Sequence, residues 1–325
     1  MIQRNSAIDL AKFIAAILVV AIHTRPFADI SGFVDFLFVD IICRMAVPFF
    51  AVCTGFYLAI AVWQKEMLLP VRKSFLKVLK MYLGWSLLFL LIHLYDWYST
   101  NTLSAEYVMG WCKSLFISSS YFHLWYLVAL LYALPVYGLF LKFVPRRFYV
   151  LFAVLLWIYH SVSYGYLAYV PSAMQPFFFA DTMCESLHTG LTRMLPLLLA
   201  GAWLTELVRH VNRRTMYMAF VLFLVLLIVE VSWLRHIGGA RWSFIVFTLP
   251  MAMALFGSVY LTGGVNIPNN QFLAKISMTV YCLHPAVIWL FRDWQLYSLL
   301  NFILVAIVTI LLSVAYQKLK EYEWG

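Results

Sequence analysis

Charge is what this sequence has least of. Only 11% of its 325 residues are Asp, Glu, Lys or Arg, against about 25% in a soluble domain. No hydrophilic stretch is long enough to build a soluble domain, and 64% of the chain is hydrophobic. Together these deficits exclude a water-soluble enzyme and leave an integral membrane protein. Acidic residues are scarcer than basic ones, 14 against 23, for a net charge of +9. With no soluble surface to carry a basic face, that excess reads as the cytoplasmic Lys and Arg of a membrane protein, and nucleic acid is not an expected partner. Cysteine is also scarce. No pair among Cys43, Cys53, Cys112, Cys184 and Cys282 has metal-ligand spacing, so no metal site is expected. Cys112 and Cys184 both fall in polar connections placed outside, and a disulfide between them stays open. A small-residue cleavage site is missing after the first apolar run, which is too long for a signal peptide, so a cleavable leader is not expected. There is no visible internal repeat, no Ser-His-Asp order and no nucleophile-elbow sequence.

What the chain does have is ten apolar segments, at about 7–27, 36–63, 76–97, 123–142, 148–168, 190–208, 216–235, 242–262, 272–291 and 298–317. Most are near the roughly 20 residues that span a bilayer as helix. The second is long enough for a tilted helix or a cytoplasmic extension. The expected fold is all-α and polytopic, with about ten transmembrane helices in a single membrane domain over 1–325. Alternate connections carry the cations: Lys65, Arg72, Lys73 and Lys77; Lys142, Arg146 and Arg147; Arg209, Arg213 and Arg214; and Lys318 with Lys320. The opposite connections hold Asp29, Asp35, Glu106, Asp181 and Glu185, with Arg235 and Arg241 as the weak point in the pattern. Both termini are therefore expected in the cytoplasm of a multi-pass membrane protein. The connections at about 98–122 and 169–189 read as short outer caps.

Ionisable residues inside such segments are costly, about 2.5–3.5 kcal/mol each on insertion scales, and are functional by default. The run Ile8–His23 of the first segment holds three: Asp9, Lys12 and His23. Asp9 and Lys12 are one turn apart on one helical face. Lys12 and His23 are eleven apart, on that same face and separated by about 16 Å of helix. With the topology above, His23, Arg44, His123 (before Trp125 and Tyr126), Arg193, His284 and Arg292 fall near or above the midplane. That agreement between separate helices points to one constellation. Each residue also has a plainer reading. His23 can be a hydrogen-bonded interface histidine and Arg44 a snorkelling side chain. His123 can belong to an aromatic belt, Arg193 and Arg292 can be interfacial anchors, and His284 before Pro285 can mark a kink with a freed carbonyl. His93 and His160 are read as interfacial, and Glu230 as a partner of Arg235 or another cation. Histidine can take a proton from a hydroxyl or amine, and arginine can hold an oxyanion, carboxylate or phosphate, so direct transfer is the economical chemistry.

These residues carry a resemblance. Lys12 and His23 frame ten residues, with Asp9 just before. Arg44-Met45-Ala46-Val47-Pro48-Phe49-Phe50 is followed by Thr54-Gly55-Phe56-Tyr57. His123-Leu124-Trp125-Tyr126-Leu127 and Ser277-Met278-Thr279-Val280-Tyr281-Cys282-Leu283-His284 complete the set. In this order, over almost the whole chain, they resemble the acyltransferase-3 family of integral membrane proteins. The resemblance implies transfer of an acyl group, often acetyl, from a cytoplasmic acyl-CoA to an acceptor at the outer face. Acetyl-CoA or another acyl-CoA would be the donor substrate, and no cofactor would be held permanently. The implied catalytic residues are His23 as base, with Asp9 and Arg44. Lys12, His123, Trp125, Tyr126, Arg193 and His284 would bind substrate, and Lys12 and Arg44 would help position the donor. Two departures are Thr54, where Ser is common, and the lack of an appended hydrolase-like domain. Within the family the opening residues and the Val-Pro-Phe-Phe run look like the membrane half of the membrane-bound serine racemases of vancomycin-resistant bacteria. Lys318-Leu319-Lys320-Glu321-Tyr322-Glu323 then reads as the start of a linker to a further cytoplasmic racemase domain. The alternative function is L-serine uptake supplying such a domain. Expected partners are the lipid bilayer, an acyl-CoA and, under the alternative, L-serine; a homodimer stays open.

Overall fold

A computed structural model describes residues 5–65, 68–178, 185–238, 244–265 and 270–323. Among the described residues there is no strand, and the protein is an all-α, multi-pass membrane protein. Its main helices are α1 (Ser6–Thr24), α2 (Ala46–Lys65), α3 (Leu69–Ser99), α4 (Ala105–Ile117), α5 (Trp125–Phe143), α6 (Tyr149–Ser161), α7 (Leu195–Leu207), α8 (Arg213–His236), α9 (Thr248–Thr262), α10 (Asn270–Phe291) and α11 (Ser298–Glu323). Eight described helical stretches are long and apolar enough to cross a membrane. The shorter helices α7 and α9 stand where the sixth and eighth segments are expected. Three described π-helical segments interrupt the α geometry: Phe36–Ile42 ahead of α2, Val162–Tyr166 after α6, and Gly190–Met194 ahead of α7.

The chain divides into two compact units. The first comprises residues 1–50, 210–243 and 250–325, the second 51–209 and 244–249. In the first, α1 packs along α10 and α11 closes on both. Ala16, Val20, Val280, Val287, Val305 and Ala306 are buried at that junction. Lipid tails are as apolar as these side chains, so dispersion and close approach hold the helices together, and the small Ala16 and Ala306 permit it. Asn5 caps α1 by accepting from the Ile8 amide at 3.2 Å, while its Nδ2 donates to the Tyr260 carbonyl at 2.7 Å. The far end of α1 is closed by Arg25, whose amide bonds the Ala21 carbonyl. Arg25 sits at φ 47°, a left-handed conformation costly for a side-chain-bearing residue. Its guanidinium is tethered to Asp35 and Asp40 at 2.5 and 3.1 Å, which holds the turn.

In the second unit α3 packs on α5, and α6 on α7. Two glycines bring α2 and α7 together backbone to backbone. A Cβ on Gly55 would lie 2.2 Å from the Leu198 carbonyl oxygen, and one on Gly201 would lie 2.3 Å from that of Val52. The buried Tyr137 hydroxyl donates to the Gly55 carbonyl at 2.7 Å. The connection read as an outer cap contains α4, a 13-residue helix capped by Ser104 with no buried side chain.

One boundary differs from the sequence reading, and two further readings can be placed. The third helix begins at Leu69, so Arg72, Lys73 and Lys77 are helical instead of lying in a connection. The stretch read as the start of a linker continues α11 to Glu323, where Glu321 pairs with Lys275 at 2.7 Å. Cys112 is an exposed free thiol, and Cys184 lies outside the described residues.

Candidate functional site

The nine residues singled out above divide between the units. Asp9, Lys12, His23, Arg44 and His284 belong to the first; His123, Trp125, Tyr126 and Arg193 belong to the second.

In the first unit the His23 and His284 rings stack, with centroids 5.2 Å apart and planes inclined by 26°. The sequence around His284 explains its pose. Pro285 has no amide hydrogen, so the carbonyl of Tyr281, four residues earlier, is released from the helix ladder. His284 Nδ1 takes up that carbonyl at 2.8 Å, with Val280 O at 3.3 Å. A carbonyl only accepts, so Nδ1 carries the hydrogen and the lone pair lies on Nε2. His284 is fully buried, and His23, near the end of α1, is half-buried. Lower on α1, Asp9 is buried and Lys12 half-buried one turn later.

Arg44 reaches this region through the turn Cys43–Met45, which packs on α1, and it is close enough to His23 to act on it electrostatically. Its guanidinium is fixed by Asp40, four residues earlier, at 3.2 Å. Asp40 is itself buried, and its second oxygen accepts from Arg25 at 3.1 Å. A buried carboxylate without partners would cost several kcal/mol; two guanidinium groups compensate this one. Asp35, also buried, completes the chain through Arg25 and accepts from the Phe27 amide at 3.4 Å. Arg44 is thereby held in place by an Asp35–Arg25–Asp40–Arg44 network.

In the second unit Arg193 is buried instead of anchoring at an interface. The rings of Phe244, Tyr164 and Trp125 surround its guanidinium, with centroids at 4.4, 4.7 and 5.0 Å. Cation–π contacts of this kind are worth about 2 kcal/mol when desolvated. The Arg193 Nε–H donates to His160 Nε2 at 3.2 Å. His160 Nδ1 therefore carries the hydrogen and donates to Thr192 Oγ1 at 3.0 Å, and that hydroxyl donates to the His188 carbonyl at 2.8 Å. His160 is fully buried, which corrects its reading as interfacial. His123 is buried against Phe89, with ring centroids 4.9 Å apart. Tyr126 is buried and shares a hydrogen bond with Thr54, and Trp125 meets Phe244 edge-on at 5.7 Å. Arg292 lies over Trp289 at 4.6 Å at the end of α10.

Asp40 and Thr192 were not singled out from the sequence, and His160 was read there as interfacial only. Asp40 had one local signal, its i,i+4 spacing to Arg44. His160 is 33 residues from Arg193, beyond any helical spacing. Both Asp40 and Arg193 ride on π-helical segments, which are frequent at functional sites.

Known proteins extend this picture. The family model described as an acyltransferase domain matches residues 5–318. An "Amino-acid racemase" of Enterococcus faecalis is 25% identical over 335 residues, covering 99% of this chain and 47% of that protein. A "Serine/alanine racemase" of Enterococcus gallinarum is 35% identical over 136 residues, covering 40% of this chain and 18% of that protein. The chain spans about half the length of the first of these relatives. No solved structure matches it.

Proposed function

The chain belongs to the acyltransferase-3 family, and on that premise we propose that its first unit transfers an acyl group, acetyl above all, from a cytoplasmic acyl-CoA to an acceptor at the outer face of the bacterial plasma membrane. The observation that supports this most is the stacked His23–His284 pair, with Arg44 fixed beside it. His23 takes the proton of the acceptor hydroxyl or amine as that atom attacks the thioester carbonyl. The C–S bond breaks, and the leaving thiolate takes the proton. Arg44, held by Asp40, faces the negative charge that develops on the carbonyl oxygen, where a fixed cation is worth most. Lys12, lower on α1 with Asp9, meets the anionic donor.

A ligand bound by the native state alone must stabilise it, by about 2.7 kcal/mol at a hundredfold excess over Kd. Acetyl-CoA should therefore raise the unfolding temperature of the purified chain by several degrees, and CoA by less. An unchanged melting curve at millimolar acetyl-CoA would contradict the donor assignment.

A second reading draws on the relatives' names and on Arg193. L-serine uptake for a racemase domain would place the amino acid's carboxylate on this buried guanidinium. Vesicles bearing the chain should then accumulate labelled L-serine, and Arg193→Lys should reduce the uptake. Accumulation no higher than in empty vesicles would remove this reading.

A further inference from the structure

Hydroxyls inside the first unit mostly satisfy themselves on their own helix. Thr24 donates to the Val20 carbonyl, Ser258 to Ala254, Thr262 to Ser258 and Ser277 to Leu273, each four residues back at 2.7 to 3.0 Å. Two hydroxyls on α11 do otherwise. Thr309 Oγ1 and Ser313 Oγ are fully buried and have no hydrogen-bond partner among the described residues. Leaving a buried hydroxyl unsatisfied costs about 1–3 kcal/mol, and turning back to a helix carbonyl would avoid that cost. Both stay enclosed instead in the space between helices.

That space is identifiable. Thr309 and Ser313 follow Val305 by one and two turns, on the α11 face that packs with Ala16 and Val20 of α1 and with Val280 and Val287 of α10. One turn further along α11, Gln317 Nε2 donates to Thr279 Oγ1 of α10 at 2.8 Å, which fixes the register of these antiparallel helices. Ser313 and Thr309 lie about 6 and 12 Å beyond that bond, and His284 about 7.5 Å beyond Thr279. The two hydroxyls therefore bracket the level of His284. Past Gln317 the polar stripe ends at the Lys275–Glu321 pair, which is exposed.

We propose that Thr309 and Ser313 hold a file of internal water beside His284, leading to Gln317 and the exposed end of α11, through which the His23–His284 pair exchanges protons with solvent. Buried water normally makes about three hydrogen bonds to groups otherwise unsatisfied, and two hydroxyls one turn apart are suited to it. Under the acyl-transfer reading, on which only the use of the route depends, each turnover moves one proton from the acceptor to the thiolate. The file leads from the histidines toward the end of the bundle where an acyl-CoA would bind.

The test needs no acyl donor. Exchange of the imidazole C2 hydrogen in heavy water, followed by mass spectrometry, reports solvent access to each histidine. His284 should exchange measurably despite its burial, and Thr309→Val with Ser313→Ala should slow it several-fold. The same double variant should unfold a few degrees lower, because water-bound hydroxyls are lost. Idle hydroxyls would give the opposite sign, since removing an unsatisfied buried polar group stabilises. Thr309→Ser with Ser313→Thr keeps both hydroxyls and should keep the exchange. Unchanged His284 exchange in the double variant, or a raised unfolding temperature, overturns the proposal. Failure of the wild-type protein to transfer acetyl would count against the acyl-transfer reading and leave these two measurements intact.

Discussion

His23→Ala should reduce acetyl transfer at least about a hundredfold, the lower end of what a positioned general base contributes, while the protein remains folded. Two features make this separation sharp. His23 is half-buried near the end of α1, so its removal opens little of the Ala16–Val20 contact with α10. His284 keeps its pose without it, because the Tyr281 carbonyl released by Pro285 holds its Nδ1–H. The stability change should be limited to a ring contact worth about 0.5–1.5 kcal/mol. Turnover and unfolding temperature measured on one preparation decide the matter. Wild-type turnover by the variant would remove histidine-base catalysis, whereas lost turnover with a collapsed melting temperature would show that the stack is structural.

The largest effect on folding is expected at Gly201 and Gly55. A leucine at Gly201 has to displace the Val52 carbonyl, only 2.3 Å from where its Cβ would be, and the Phe56 amide nitrogen at 2.8 Å. Both are helix backbone and cannot swing aside as a flexible side chain can. Separating α2 from α7 loosens the packing of Phe56, Leu197 and Leu198, all buried. Overpacking typically costs 1–3 kcal/mol and more where nothing yields, so Gly201→Leu should cost at least about 3 kcal/mol and leave little monodisperse protein. Gly84→Ala is the control. It lies within α3 with nothing within 4 Å of its added Cβ, and alanine should gain about 0.5–1 kcal/mol there from helix propensity. Equal yields of the two variants would show that the close crossing is not required.

The helices were legible in the sequence because hydropathy reports on lipid-facing segments directly. Their ends were less so, for a physical reason. Arg72, Lys73 and Lys77 mark where the apolar run of α3 begins, but a helix does not stop where the hydrocarbon does, and α3 starts earlier, at Leu69. Glu323 at the end of α11 makes the same point. His23, Arg44 and His284 stood out as charges or imidazoles in apolar runs, and Pro285 announced the freed carbonyl. Asp40 was harder to see, because a lone carboxylate in the sequence gives no sign of the two guanidinium groups it joins in the fold. His160 was misplaced because its partner comes from a distant helix, and only the folded chain shows the Arg193 guanidinium giving its Nε–H to that ring.

The segment Phe36–Ile42 also constrains how this protein can vary. A π turn accommodates one more residue than the α turn it replaces. Deleting a single amino acid there would let ordinary helix winding resume with the residues after it close to their present orientation. The same deletion within a regular α-helical turn would rotate everything beyond it by about 100°. The segment thus holds slack in the winding: one residue fewer ahead of Asp40 should leave Arg44 facing α1 with its spacing to Asp40 intact, so this stretch should tolerate a change of length that α1 would not.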